Sequence, residues 1–565
     1  MAAPRSAPAA LRELARLRLE FGPGPAARKR GLLGILDRAR LGTAREILAL
    51  HDALCFIRAY PDDEALRATA VRMLERFERR GDLPRFRAAL ADSGIAGTPI
   101  RFRFFAETTK WLVRRWPAAL TIDWGAFEDT ALLEALLPLL GTFAESPGLD
   151  EYDYGLRGWI ERMKGRGETD AAFLIRRLAR ILPGAFLHEK LSDFLDTPFT
   201  LAPAPGTPSR TRAHHARGRP TFQTRPLAAR RPNLRIEITR PPLAVRPVAR
   251  REGQRLIDLS LACMVTRSRD LDVFAYGDPR DVRWVDCGEG LSFACIGSRP
   301  ERRLLLESVY GFLTLKNGVP VGYVLTSALY GSSEIAYNVF ETFRGAEAAT
   351  IYARVLSMTR HLFGSDTFAI VPYQLGAAGN EEGLRSGAWW FYRKLGFEPH
   401  DPAARRLMRA EEARMRRRPL HRSSLATLER LAEHPLFFST GEPRVDVIGR
   451  LPLAHAGLAV TQALAARFGA DREGAERVCE REALARLGVS RLAGWSIDER
   501  RAWRRWAPLV TLLPGLEGWT AREKQGLFDV VRAKGGRRES DFVRRFDAHA
   551  KLRAALRRLV ERTPE

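Results

Sequence analysis

The dipeptide Asn317-Gly318 sits between two apolar runs, 311–315 and 319–326, and this arrangement leaves the chain little choice there. Asn-Gly accepts the positive backbone angles of a tight type I′ turn, so the two runs are expected to fold back on each other as an antiparallel hairpin. The same grammar continues downstream. A turn at 331–333 leads to a strand expected over 334–340, then to a helix from about 345 with Ile351, Val355, Met358 and Leu362 on one face. A strand over 366–371 and a short helix over 388–395, closing on Gly396, follow. Upstream, 252–265 reads as a helix bearing Leu256, Ile257, Leu259 and Leu261, and strands are expected over 282–285 and 291–296.

The flanks differ. From about 11 to 196 apolar residues recur at helical spacing, as in Ile47, Leu50, Ala53, Leu54 and Ile57, and again in Leu174, Leu178, Ile181 and Leu182. Trp111, Trp116 and Trp124 fall in this stretch and are read as core packing rather than as a stacking platform. Between 203 and 251 proline and arginine dominate and Glu237 is the only acidic residue, a composition expected to give an extended, solvated tether. Beyond about 405 the chain turns basic, with a run of cations at 414–418, and then helical, with Leu425, Leu428 and Leu431 early and Phe542, Phe546 and Leu552 late. A chain of 565 residues exceeds one core. The expected organisation is a helical region over 1–199, a basic linker over 200–251, an α+β domain with a mixed sheet over 252–410, and an all-α region over 411–565.

The formal net charge is +25. Such a surface attracts phosphate, so binding of nucleic acid through the basic linker is one reading; arginine-rich usage of the kind a GC-rich coding sequence produces is the other. The five cysteines form no CxxC pair and have no histidines at zinc spacing, so neither a disulfide framework nor a metal site is expected. The first thirty residues lack an apolar segment with a cleavage site, and no apolar stretch reaches spanning length, so the sequence reads as soluble and cytoplasmic.

The segment 387–399, GAWWFYRKLGFEP, carries the most specific signal. Ala388, Tyr392 and Leu395 share one helical face, and Gly396 permits a left-handed ending into the next strand. With Ala388, the pair Phe391-Tyr392 and the close Leu395-Gly396-Phe397, it resembles the GNAT N-acetyltransferase superfamily. The run RGAEAA at 344–349 resembles that family's pyrophosphate loop, which precedes a helix whose free N–H groups and positive end hold the coenzyme A diphosphate. The resemblance implies a domain that binds acetyl-CoA or another acyl-CoA as co-substrate and transfers the acyl group directly to an amine. It implies Arg344, Gly345, Ala346, Glu347, Ala348 and Ala349 at the diphosphate, with Asn380 a further cofactor contact. It implies Tyr392 as the acid that protonates the departing thiolate, and backbone N–H groups at 339–341 beside the thioester oxygen. Glu334 and Glu341 flank the adjoining strand and are candidates for removing the amine's proton. Glu347 departs from the pattern, standing where the family usually has a second glycine; a carboxylate there repels a diphosphate unless it points away. Two alternatives stay open: a GNAT-like scaffold that has lost catalysis, and a nucleic-acid-associated protein using its basic linker. The acyl acceptor is left open, a protein or other large molecule among the options.

Overall fold

The computed structural model describes residues 6–182, 185–216, 218–227, 231–345 and 347–562. It is an α+β structure, 54% helical, with a large mixed sheet and flanking helical regions. The sheet has nine strands. They are β1 (Ala244–Pro247), β2 (Gly277–Gly288), β3 (Leu291–Ser298), β4 (Ser308–Lys316), β5 (Val319–Leu329), β6 (Ser332–Val339), β7 (Thr367–Ile370), β8 (Glu398–Pro399) and β9 (Leu436–Ser439). Their spatial order is β8-β9-β7-β6-β5-β4-β3-β2-β1. Only β6 and β7 pair in parallel; every other neighbouring pair is antiparallel.

The Asn317-Gly318 hairpin forms as its turn chemistry dictates, with φ +47° and +76° at the two residues and Lys316 opposite Val319. Glycine is required at the second position, because an added Cβ would lie 2.2 Å from the His215 carbonyl oxygen. The Asn317 amide also docks the turn, donating to the Ala59 and Thr221 carbonyls at 2.9 and 3.0 Å.

Both faces of the sheet are covered, and side-chain alternation assigns each strand residue to one of two cores. Ala294, Ile296, Leu313 and Leu315 point to a core shared with the helix Arg250–Val265 and the N-terminal helices. Phe293, Cys295, Tyr310 and Phe312 point to a second core shared with the helix Ala348–Phe363 and the C-terminal helices. This is why β3 is buried along its whole length and shows no polar face.

Three segments differ from the sequence reading. The N-terminal region, expected to be all helix, holds a small antiparallel sheet of Ile100–Phe102, Phe199–Leu201 and Leu120–Ile122. Within 200–251, expected as a solvated tether, Thr207, Ser209 and Thr211 are buried. Here Arg58 donates to the carbonyls of Thr211 and Ala213 at 2.9 and 3.1 Å, and β1 closes one edge of the sheet. The low apolar content is offset by backbone carbonyls that find buried donors. Lastly, the sheet passes residue 410: β9 lies between β7 and β8.

The C-terminal helices are fixed to the sheet by a buried ionic cluster. Lys534 Nζ lies 2.6 Å from the Glu539 carboxylate and donates to the Leu306 and Glu307 carbonyls at 3.2 and 2.9 Å. Arg303 donates to the carbonyls of Lys534 and Gly536 at 2.7 and 2.6 Å. Tyr310 donates to Asp281 at 2.6 Å and accepts from the Ser540 N–H at 2.8 Å. Trp111 is buried and donates to Asp258 at 3.0 Å, which is a packing role. The cysteines carry no disulfide, and among the described residues no helix is long and apolar enough to cross a membrane.

Candidate functional site

The parallel pair β6 and β7 is joined only over Ser332–Glu334 against Thr367–Ala369. β6 runs on to Val339, whereas β7 stops at Ile370 and Pro372 opens a short helix, Pro372–Leu375. Proline has no N–H and fixes its own φ, so the strand cannot continue as a ladder partner. The two strands therefore part. Because strand amides point alternately to the two sides, half of those on the free stretch of β6 face the gap without a strand partner.

The gap is a cavity of about 550 Å³. Ala336 to Val339 form one wall, and Tyr373, Gly383, Ser386, Ala388, Phe391 and Tyr392 form the other. At its mouth the chain makes a tight turn at Glu341–Phe343, passes Arg344 and Gly345, and enters the helix Ala348–Phe363. Gly345 has φ +79° and nothing within 4 Å of an added Cβ, so its backbone lies bare. That helix has no side-chain cap at its N-terminus, so its first N–H groups and the positive end of its dipole are not neutralised by a capping oxygen.

Glu347 turns away from this opening. Its carboxylate takes a hydrogen bond of 2.6 Å from Lys316 in a pair whose side chains are 10% and 4% exposed, and it does not line the cavity. Ala348 lines the cavity, while Ala349 is half-buried against the second core. Ala346 lies outside the described residues.

Tyr392 is 4% exposed and packs against the rings of Tyr352, Phe391 and Phe397 while lining the cavity. Burial pushes its phenol above the ordinary value, so it stays protonated across the physiological range. The helix that carries it, Ala388–Lys394, is followed by Gly396 at φ +103°, the positive angle its sequence anticipated. Asn380 lines the cavity too, but both ends of its amide are engaged. Its oxygen accepts from the Gly383 N–H at 3.1 Å and its nitrogen donates to the Tyr373 carbonyl at 2.7 Å, capping a short helix, Glu381–Ser386.

The two candidate bases are not brought to the cavity wall. Glu341 is exposed at the start of the turn, and Glu334 sits half-buried where β6 and β7 are still paired. Burial first, then the charge of Glu307, raises the Glu334 carboxyl above its usual range. The carboxylate that does line the cavity is Glu382, between two arginines: Arg269 lies 3.0 Å away, and Arg344 bonds the other oxygen. Burial alone would raise Glu382, but the Arg344 hydrogen bond and the charge of Arg269 outweigh it and hold the group low. Arg269 also donates to the Tyr323 hydroxyl at 3.2 Å. Sequence reasoning missed Arg269, Tyr323 and Glu382. The one available signal was the insertion 381–386, which forms the helix bearing Glu382.

Behind Arg269, Asp270 anchors the cavity's back wall to the N-terminal region. Its carboxylate accepts from the Phe105 N–H and the Thr108 hydroxyl, both at 2.8 Å. Burial pushes its pKa up to about 6. The folded state then holds this proton more tightly than the unfolded chain, so this group's contribution is fully present below about pH 4 and is lost as pH rises through 6. The stability of Asp270→Asn relative to the parent should therefore rise by up to about 3 kcal/mol from pH 4 to pH 7, on top of a pH-independent loss because the amide NH2 replaces an accepting oxygen. Urea denaturation at both pH values checks this, and a difference that does not change with pH refutes it.

Comparison of the chain with protein-family models, with curated proteins and with solved structures finds no match.

Proposed function

We propose that this protein is an acyl-CoA-dependent N-acyltransferase, with acetyl-CoA the favoured co-substrate, that passes the acyl group directly to an amine. The observation that carries the reading is the gap between β6 and β7, which opens onto an uncapped helix N-terminus with Glu347 turned away to Lys316. The gap offers strand amides to an extended amide-bearing arm, and the helix end offers N–H groups to a diphosphate. Arg344, Gly345 and Ala348 border that end. In this reading the cleft-side amides of β6 polarise the thioester oxygen, and Tyr392, which holds its proton, releases it to the departing thiolate. Attack by the amine needs no covalent intermediate on the protein, so the buried cysteines have no part in the chemistry. Glu334 and Glu341 remain the proposed sources of a base, acting through water given their distance from the wall. The large helical regions that flank this domain along the chain favour a macromolecular acceptor, a protein or another large molecule.

Calorimetric titration with acetyl-CoA tests the reading. One site per chain is expected, and Arg344→Ala should weaken it by about tenfold, the order of one charge-assisted hydrogen bond. No heat of binding up to high-micromolar acetyl-CoA would overturn the proposal and favour a scaffold that has lost its co-substrate.

A further inference from the structure

Arg269 and Arg344 come from segments far apart in the chain, yet they converge on one carboxylate. Arg269 meets one Glu382 oxygen at 3.0 Å and Arg344 bonds the other. Each arginine is also steadied from behind, Arg269 by the Tyr323 hydroxyl at 3.2 Å and Arg344 by the Val339 carbonyl at 3.3 Å. Two guanidinium groups, each giving one nitrogen to a different oxygen of the anion between them, match the way a pair of arginines holds a phosphate. The uncapped start of the helix Ala348–Phe363 lies on the same rim.

We propose that Arg269 and Arg344 form a single diphosphate seat at the cleft mouth, and that Glu382 is its internal occupant, displaced when a diphosphate-bearing ligand enters. The natural ligand's identity rests on the acyl-CoA reading; the seat and its occupant do not.

Exposure favours exchange. The side chains of Arg269, Arg344 and Glu382 are 33%, 47% and 49% exposed, and ion pairs this open to water are weak. The Lys316–Glu347 pair nearby is buried and has no such freedom. The short helix that carries Glu382 is bounded by Gly379 and Gly387, both at positive φ with open space around them. The other acid on that helix, Glu381, pairs outward with Arg385 at 2.7 Å and does not compete for the seat. A diphosphate carries more charge and more acceptor oxygens than one carboxylate, so it wins the two arginines once it arrives. Until then Glu382 keeps the seat closed to weaker anions.

The test is calorimetry with two probes, inorganic pyrophosphate and acetyl-CoA, on the full chain and on Glu382→Gln and Arg269→Ala, with circular dichroism confirming that both variants fold. Glu382→Gln should bind both probes about five- to tenfold more tightly, since an internal competitor is gone, and Arg269→Ala should bind both about tenfold more weakly. If the parent binds acetyl-CoA and either variant binds the probes as the parent does, the shared seat is overturned while the acyl-CoA reading stands. If pyrophosphate follows the expected pattern but no protein binds acetyl-CoA, the seat stands and the acyl-CoA reading falls. Neither probe binding to the parent or to Glu382→Gln overturns both.

Discussion

Replacing Glu539 by Ala is expected to destabilise the protein by about 3–5 kcal/mol, because it leaves two buried cations, Lys534 and Arg303, with no other acid at ion-pair distance among the described residues. The cluster is closed to water: Lys534 and Glu539 are 4% and 1% exposed. Burial drives each toward its neutral form, lowering Lys534 and raising Glu539, and their mutual attraction offsets that drive. Removing the Lys534 and Glu539 charges together should cost less, since Arg303 then loses its acid but keeps its bonds to the Ser298, Lys534 and Gly536 carbonyls, so Lys534→Met combined with Glu539→Leu is the informative control. Thermal scans read the effect as a large fall in midpoint for the single variant with partial recovery in the double. Equal midpoints for the parent and the single variant would show that the cluster contributes nothing.

Tyr392→Phe should slow acyl transfer by about a hundredfold while leaving acetyl-CoA affinity within a factor of two, the signature of a proton donor used in the transition state. The phenyl ring keeps its packing against Tyr352 and Phe397, so the fold is not at stake. The informative readout is kcat against KM on a confirmed acceptor. A variant with unchanged kcat would remove Tyr392 from the chemistry, and a variant with raised KM alone would make it a binding residue.

The elements that were legible in the sequence are those set by local chemistry. Asn317-Gly318 fixed a turn, the spacing of Ile351, Val355, Met358 and Leu362 fixed a helical face, and Gly396 fixed a helix end. The strands β1 and β9, and the three strands of the small sheet, were not legible. Each has four residues or fewer, too few for a period to register, and each is held by partners remote in sequence. The docking of 203–216 was hidden for a related reason: its attachments are backbone carbonyls and scattered polar side chains, Thr211 with His51 and Arg210 with Asp52, which make no periodic pattern. At the cleft, Tyr392, Arg344, Gly345 and Ala348 could be named from two short motifs and Asn380 from its place upstream of the Tyr392 motif, and the structure gathers all five around one cavity. Arg269 and Glu382 could not, since only the fold brings position 269 beside position 382.

The placement of β9 has a bearing on how the chain is made. A nascent polypeptide that has emerged only as far as residue 430 possesses β7 and β8 but lacks the strand that belongs between them. The outer edge of β7, the strand from which β6 parts to open the cleft, stays bare until Leu436–Ser439 leaves the ribosome and slots in. A central domain cut at residue 410 would carry that unpaired edge permanently, and would sooner seek a neighbouring molecule than hold its pocket open.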